Sequence, residues 1–231
     1  MKRSIFATEA TEHDTMATRF RDRTEAGCLL ANALAAYANR PDVLVLALPR
    51  GGVPVAFEVA KALHAPLDII VVRKLGVPSQ EELAMGAITT GGVLVRNEEV
   101  IEALGIPSDE IRAVAEWERR ELERREHLYR GPRPLPDIRG RTVLLVDDGI
   151  ATGTTIRVAI KALKRQSPSR LVVAVPVAPR SICEELEKEV DEVVCLRSPE
   201  PFVAISPWYQ SFSQTSDEEV TGLLARARNA A

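Results

Sequence analysis

Residues 143–155 read VLLVDDGIATGTT, a run in which residue types and spacing both suggest chemistry. Four apolar residues suit a short strand buried on both faces. Asp147 and Asp148 then emerge together at its carboxyl end. A loop of small residues (Gly149, Ala151, Gly153) and hydroxyls (Thr152, Thr154, Thr155) follows, at the point where a helix should begin. Small side chains let successive N–H groups turn inward as a nest, and a helix N-terminus adds positive potential, so a phosphate monoester fits there. The carboxylates would repel that phosphate at close range and are better placed to accept hydrogen bonds from sugar hydroxyls one ribose-width away. A phosphate cradle beside a diol-binding acid pair describes a ribose 5-phosphate site. A nucleoside-triphosphate P-loop would need Gly-Lys-Ser/Thr, and no lysine follows Gly153; the dinucleotide fingerprint GxGxxG is absent. A phosphoacceptor receiver domain also carries paired acids after a strand, but has no use for GIATGTT.

Two more segments could meet this loop. Leu48-Pro49-Arg50-Gly51-Gly52 follows an apolar run at 43–48, and Arg73-Lys74 follows another at 67–72. The loop at 48–51 is expected to hold an unusual peptide geometry that turns its N–H groups toward one ligand, with a cis bond before Pro49 the cheapest form. Of the aromatics (2 Trp, 3 Tyr, 5 Phe), Phe202, Trp208, Tyr209 and Phe212 crowd into PFVAISPWYQSFSQ, which Pro and Ser interrupt too often for a core helix. Such rings can stack on a planar base or simply pin the C-terminal segment to the core. His13, His64 and His127 share no ligand spacing.

The elements that must position these residues follow from periodicity. Helical spacing at 24–40 stops at Pro41, and strand–turn–helix–strand over 43–72 is a βαβ unit with a right-handed crossover. The alternation breaks at 85–96, a hairpin about Gly91-Gly92. Residues 97–130 read as helix, interrupted near Gly105-Ile106-Pro107, with Ser108 as the second N-cap. The charge-dense WERRELERREH alternates acids and bases, and is read as a solvated, salt-bridged face. After a proline-rich linker at 131–140 come strands at 142–146, 171–177 and 193–196, with helices at 154–166, 180–188 and from a Ser216 cap through Leu223. The fold class expected is α/β, a doubly wound parallel sheet with an inserted hairpin and helical segment, whose ligands bind beyond the carboxyl ends of the strands. The organisation expected is a frayed tail at 1–20 and a single domain at 21–231, with a helical insertion at 97–130 and a hood at 199–215.

Composition narrows the class. The 231 residues carry 30 Lys+Arg against 33 Asp+Glu, a net charge of −3, which argues against nucleic acid held by charge alone. No apolar run approaches the ~18–20 residues of a membrane span, and MKRSIFATEATEHD lacks the apolar core of a secretory signal. Cys28, Cys183 and Cys195 show no CxxC spacing and fit a reducing interior. A cytoplasmic location is expected.

At this point the sequence resembles the type I phosphoribosyltransferases. Residues 143–155 look like their motif for 5-phosphoribosyl 1-pyrophosphate (PRPP), residues 48–52 like the pyrophosphate loop, and Arg73-Lys74 like a basic pair before a mobile catalytic loop. With LPRGGVPVA, VVRKLG and LVDDGIATGTT, the chain is similar to bacterial members whose acceptor is unassigned. The resemblance implies transfer of phosphoribosyl from PRPP to a nitrogenous base or related acceptor with release of pyrophosphate; the alternative is a non-catalytic PRPP- or nucleotide-binding regulator of the same fold. It implies ribose binding by Asp147 and Asp148, and 5′-phosphate binding by Ala151, Thr152, Gly153, Thr154 and Thr155. Pyrophosphate binding falls to Arg50, Gly51 and Gly52, catalysis to Arg73 and Lys74, and base binding to Phe202 and Val203. The segment at 75–86 would be the mobile cover. Mg²⁺ is expected, held mainly by pyrophosphate and ribose oxygens, with no protein metal site. The partners implied are small-molecule substrates, without nucleic acid or membrane, and a homodimer is compatible with them. Members acting on 6-oxopurines usually carry an Asp where this loop has Ala151, so the loop looks more like the adenine or orotate branches.

Overall fold

The short apolar runs become the interior strands of one twisted sheet, as residues that cannot face water on either side must. In the computed structural model, residues 4–6, 19–78 and 80–229 are described. Their order is β1 (Ser4–Phe6), α1 (Arg23–Ala33), β2 (Val43–Ala47), α2 (Gly52–Leu63), β3 (Leu67–Ile69), β4 (Val72–Val77), β5 (Gln80–Thr89), β6 (Val93–Arg96), α3 (Glu98–Leu104) and α4 (Ser108–Arg130). The second half runs β7 (Thr142–Val146), α5 (Thr154–Lys164), β8 (Arg170–Val177), α6 (Arg180–Glu189), β9 (Glu192–Arg197) and α7 (Asp217–Asn229).

The main sheet has the order β1-β9-β8-β7-β2-β3 and is parallel throughout. Alternate residues of each strand serve opposite faces. Val43, Val45, Leu144, Val146 and Val172 join α1, α2, α4 and α7 in one core. Leu44, Leu46, Val143, Leu145 and Val173 join α5 and α6 in the other. From β2 the chain crosses through α2 to β3 on one side, and from β7 through α5 to β8 on the other. The direction of winding therefore reverses between β2 and β7, and the splayed loops at their carboxyl ends leave a crevice there. The loops that open it are 48–51 and 147–153.

Five expectations need correction. The apolar stretch at 67–72 is not one strand: β3 ends at Ile69, and β4 leaves for a separate antiparallel sheet, β4-β5-β6. That sheet also takes up the segment expected to be an open cover, with Val72↔Thr89 through Val77↔Gln80 in register apart from shifts on both sides of Gly76. Pro107, not Ser108, holds the cap position of α4, and no side chain caps it. Near the N-terminus, Ser4–Phe6 forms an edge strand on β9 and Phe20 is buried; the rest of the tail expected at 1–20, residues 1–3 and 7–18, lies outside the described residues. The helical pattern at 24–40 is an α-helix only to Ala33, with a single 3-10 turn at Ala35–Tyr37 after it, while several local readings hold. Gly91 and Gly92 adopt φ of 81° and 72° at the hairpin turn, Ser216 Oγ accepts the Glu219 N–H at 3.1 Å, and Glu121 pairs with Arg124 and Arg125 along an exposed face of α4.

The long helix α4 is moored to the main sheet by its last residue. Arg130, with its side chain 3% exposed, places Nε 3.0 Å from Asp68 Oδ1 on β3 and donates from Nη2 to the Ile69 carbonyl at 2.9 Å. Removing one partner of a buried ion pair strands the other charge. Asp68→Ala is therefore expected to destabilise the protein by about 3–5 kcal/mol, whereas Asp68→Leu combined with Arg130→Met recovers most of that loss. Urea denaturation measures both, and a double variant as unstable as the single one would show that stranded charge is not the cause.

Candidate functional site

The crevice is built on contact between two backbones. A Cβ on Gly51 would lie 2.1 Å from Asp148 Oδ2, and one on Gly52 would lie 2.9 Å from both the Val146 carbonyl oxygen and the Asp147 Cα. Only glycine lets the loop after β2 approach the acid pair this closely. The unusual peptide geometry expected within 48–51 is present: the Pro49–Arg50 bond is cis, one bond after the cheaper site before Pro49. The loop closes with the Gly52 N–H donating to the Leu48 carbonyl at 3.1 Å, and α2 then begins with its N-terminus toward the crevice.

The acids are held differently. Asp147 Oδ1 accepts the Asp148 N–H at 2.9 Å. Burial, and then the neighbouring charge of Asp148, push the Asp147 carboxyl well above the ordinary range. Burial also raises Asp148, against the pull of Arg23, whose Nε stands 2.7 Å from Asp148 Oδ2. Tyr209 Oη donates to the Asp148 carbonyl at 2.6 Å.

Beyond the acids lies the loop expected to cradle phosphate. The Ile150 N–H donates to the Val177 carbonyl at 2.9 Å, which anchors the loop to β8. Gly153, at φ 76°, occupies the cap position of α5 in the left-handed region that side chains disfavour. Ala151, Thr152, Thr154 and Thr155 are exposed, and the Thr152 and Thr154 hydroxyl oxygens are 3.2 Å apart. Residues 147–156 and Ile205 enclose a hollow of 220 Å³. Asp148 also lines a second hollow of 380 Å³, with Arg23, Arg50, Gly51 and Phe212. Arg50 extends across it to Asp217, Nη1 to Oδ1 3.8 Å, and both side chains remain substantially exposed.

Arg73 and Lys74 lie elsewhere than expected. They sit within β4 rather than at the end of a core strand, opposite Ile88 and Ala87. Arg73 is held by Glu118 of α4 at 2.6 Å, while Lys74 is exposed. They line a 710 Å³ cavity with Trp117 and Thr155, so Thr155 connects this cavity to the phosphate loop. Phe202 is half-buried against the aromatic cluster of Phe20, Trp208 and Tyr209. Val203 is 87% exposed. Trp208 and Tyr209 are buried, so those two rings pin the segment to the core. Arg23 and Ile205 escaped sequence reasoning. One signal for Arg23 existed: it is a cation in the first turn of a helix, where the macrodipole favours acids, so its charge needed a partner elsewhere.

A family model, the phosphoribosyl transferase domain, matches residues 24–210, and the chain belongs to that family. Among solved structures it is similar to TT1426 of Thermus thermophilus, with 41% identity, TM-score 0.78, and coverage of 90% of this chain and 98% of that one. It is 47% identical over 208 residues to the provisionally named phosphoribosyl transferase Rv0571c of Mycobacterium tuberculosis, covering 90% of this chain and 47% of that protein. The chain thus spans about half the length of that relative. The bifunctional protein PyrR of Brevibacillus brevis is 32% identical over 120 residues, which are 49% of this chain and 65% of PyrR. No helix among the described residues is long and apolar enough to cross a membrane.

The raised carboxyl of Asp147 has a consequence for stability. With its folded pKa above the unfolded value of about 3.9, the folded chain binds the proton more tightly, and stability falls as pH rises from there through the folded pKa. Asn imitates the protonated acid. Asp147→Asn should therefore raise the melting temperature of the ligand-free protein at pH 8, and the gain should vanish below about pH 3.9, where both states are protonated. Thermal scans at the two pH values test this; an equal shift at both, or a loss at pH 8, would refute it.

Proposed function

We propose that this protein transfers the 5-phosphoribosyl group of PRPP to a nitrogenous acceptor and releases pyrophosphate. The observation that carries the reading is the meeting of three unlike subsites at one switch point. An acid pair is flanked on one side by a small-residue loop at a helix N-terminus, and on the other by a glycine loop with an arginine. Asp147 and Asp148 accept hydrogen bonds from the ribose hydroxyls. N–H groups and hydroxyls at Ala151, Thr152, Gly153, Thr154 and Thr155 hold the 5′-phosphate, and Arg50, Gly51 and Gly52 hold pyrophosphate.

The C1–O bond breaks, and its electron pair leaves with pyrophosphate. The nitrogen lone pair of the acceptor forms the C1–N bond, and the proton of that nitrogen passes to the departing pyrophosphate or to water. Positive charge develops on the ribose ring and negative charge on the leaving group, so fixed cations at the pyrophosphate end lower the barrier. The donor set near that end, a carboxylate pair beside a glycine loop, suits Mg²⁺ bound chiefly through substrate oxygens, with Asp147 and Asp148 lying against Gly52 and Gly51. The ion would neutralise leaving-group charge. Ala151 offers no acid or base to the acceptor ring, which disfavours a 6-oxopurine. Phe202 and Val203 are the candidates for the acceptor contact; they precede Ile205, which lines the phosphate-loop hollow. Lys74 is the exposed cation of the small sheet that faces the cavity, and the intracellular setting of PRPP agrees with a cytoplasmic protein. One observation favours the alternative, a regulator that binds PRPP or a nucleotide without turnover: Arg73 is already committed to Glu118.

The test is pyrophosphate release from PRPP across a panel of nitrogenous bases, with PRPP affinity measured by calorimetry. Asp147→Asn with Asp148→Asn should keep the fold, at some loss of stability because Arg23 loses its charged partner, and weaken PRPP binding severely, since a hydrogen bond to a charged group contributes about 1.5–3 kcal/mol. Unchanged affinity would remove the ribose assignment. Tight PRPP binding without turnover on any base would favour the regulator.

A further inference from the structure

Arg23 stands at the start of α1, remote in sequence from every loop of the crevice, yet it reaches the centre. Its Nε donates to Asp148 Oδ2 at 2.7 Å and its Nη1 to the Ser213 carbonyl at 2.7 Å. The guanidinium carbon lies 3.9 Å from the centre of the Phe212 ring. The side chain is only 12% exposed, so this position is enforced by packing. These contacts engage two of the five N–H donors of a guanidinium. The face that remains belongs to the 380 Å³ hollow shared with Arg50 and Gly51.

Two guanidinium groups and one carboxylate line that hollow, and Asp217 meets Arg50 from its edge at 3.8 Å, so the charges are matched in the free protein and an anion would be bound by guanidinium donors released from their carboxylates. Asp148 Oδ2, the atom that holds Arg23, also lies against Gly51. A ribose diol that hydrogen-bonds to Asp148 competes with Arg23 for the same carboxylate. A pyrophosphate brought beside Gly51 offers the displaced guanidinium several negative oxygens and a bidentate geometry.

We infer that Arg23 is a ligand of the pyrophosphate leaving group, stored on Asp148 in the free protein and handed over when the ribose occupies that acid. The inference rests on the transferase reading and adds a residue from outside its three loops. The exchange keeps the buried guanidinium paired at every stage, and it couples occupation of the ribose subsite to assembly of the pyrophosphate subsite.

Calorimetry with two probes in magnesium buffer, ribose 5-phosphate alone and inorganic pyrophosphate titrated into protein saturated with ribose 5-phosphate, tests the exchange. Arg23→Met should weaken pyrophosphate binding at least tenfold while leaving ribose 5-phosphate binding unchanged or tighter, because a competitor for Asp148 has gone. A residue that merely props the C-terminal segment would lower both affinities alike, and that result overturns the inference, as does unchanged pyrophosphate affinity. Where Arg23→Met does not fold, Arg23→Lys takes its place: an ammonium cannot supply the planar fork, so pyrophosphate should weaken about threefold or more, and no change overturns the inference. Wild-type protein that binds neither probe overturns the transferase reading as well. Wild-type protein that binds both, with pyrophosphate affinity insensitive to Arg23, overturns this inference alone.

Discussion

The contact of Gly51 and Gly52 with the acid pair is the constraint around which the rest of the crevice is arranged. A parallel sheet whose winding reverses between β2 and β7 brings two loops together at its carboxyl edge, but reversal alone leaves them merely adjacent. With no Cβ between them, the backbone of one loop lies directly on the carboxylates of the other. That closeness helps to keep Asp147 and Asp148 out of water; burial raises both carboxyls, and the charge of Asp148 adds to the rise at Asp147. The same closeness sets a diol-binding pair beside a loop able to hold a second anion. An electrostatic cost in the free protein is thus built into the arrangement that would bind substrate.

The cost is partly offset from the two ends of the chain. Arg23 neutralises Asp148 from α1, and Tyr209 donates to its carbonyl from the C-terminal segment. These segments are joined to each other as well. The Phe20 N–H donates to the Trp208 carbonyl at 2.9 Å and the Gln210 N–H to the Phe20 carbonyl at 2.8 Å, while the Phe20, Tyr209 and Phe212 rings pack in series, tilted against one another. The aromatic cluster is therefore a clasp that fixes the acid pair from behind. Burial of Trp208 and Tyr209 follows from this role, and it leaves them no face for a ligand.

The small sheet and α4 form a second body over the other side of the crevice. Buried Ile111 and Leu122 of α4 pack with Leu75, Met85 and Ile88 of the small sheet, and the Arg130–Asp68 pair ties the helix end back to β3. Arg73 faces α4 because Glu118 is there to receive it. Both cations at 73 and 74 are consequently carried on the antiparallel unit, and their distance from the pyrophosphate loop is governed by how that unit sits. Trp117, 68% exposed at the cavity mouth, is the largest apolar surface that unit presents.

The sequence alone determined what depends on local pattern. Continuous apolar runs at 43–48, 142–146 and 171–177 pointed to buried parallel strands, and VDDGIATGTT to acids at a strand end and small residues before a helix. Those features hold in β7, α5 and the loop between them because each is decided within about a dozen neighbouring residues. Only the tertiary structure decided the rest. The apolar stretch at 67–72 gave no sign of breaking after Ile69, since a strand leaving one sheet for another is as hydrophobic as one that stays. Trp208 and Tyr209 are aromatic whether they stack on a ligand or on Phe20. The Arg23–Asp148 pair joins residues 125 positions apart, and no local rule names the partner of a charge. It is set by where the packing of α1 on α2, β8 and β9 leaves the helix start, which is a property of the assembled core and of no segment within it.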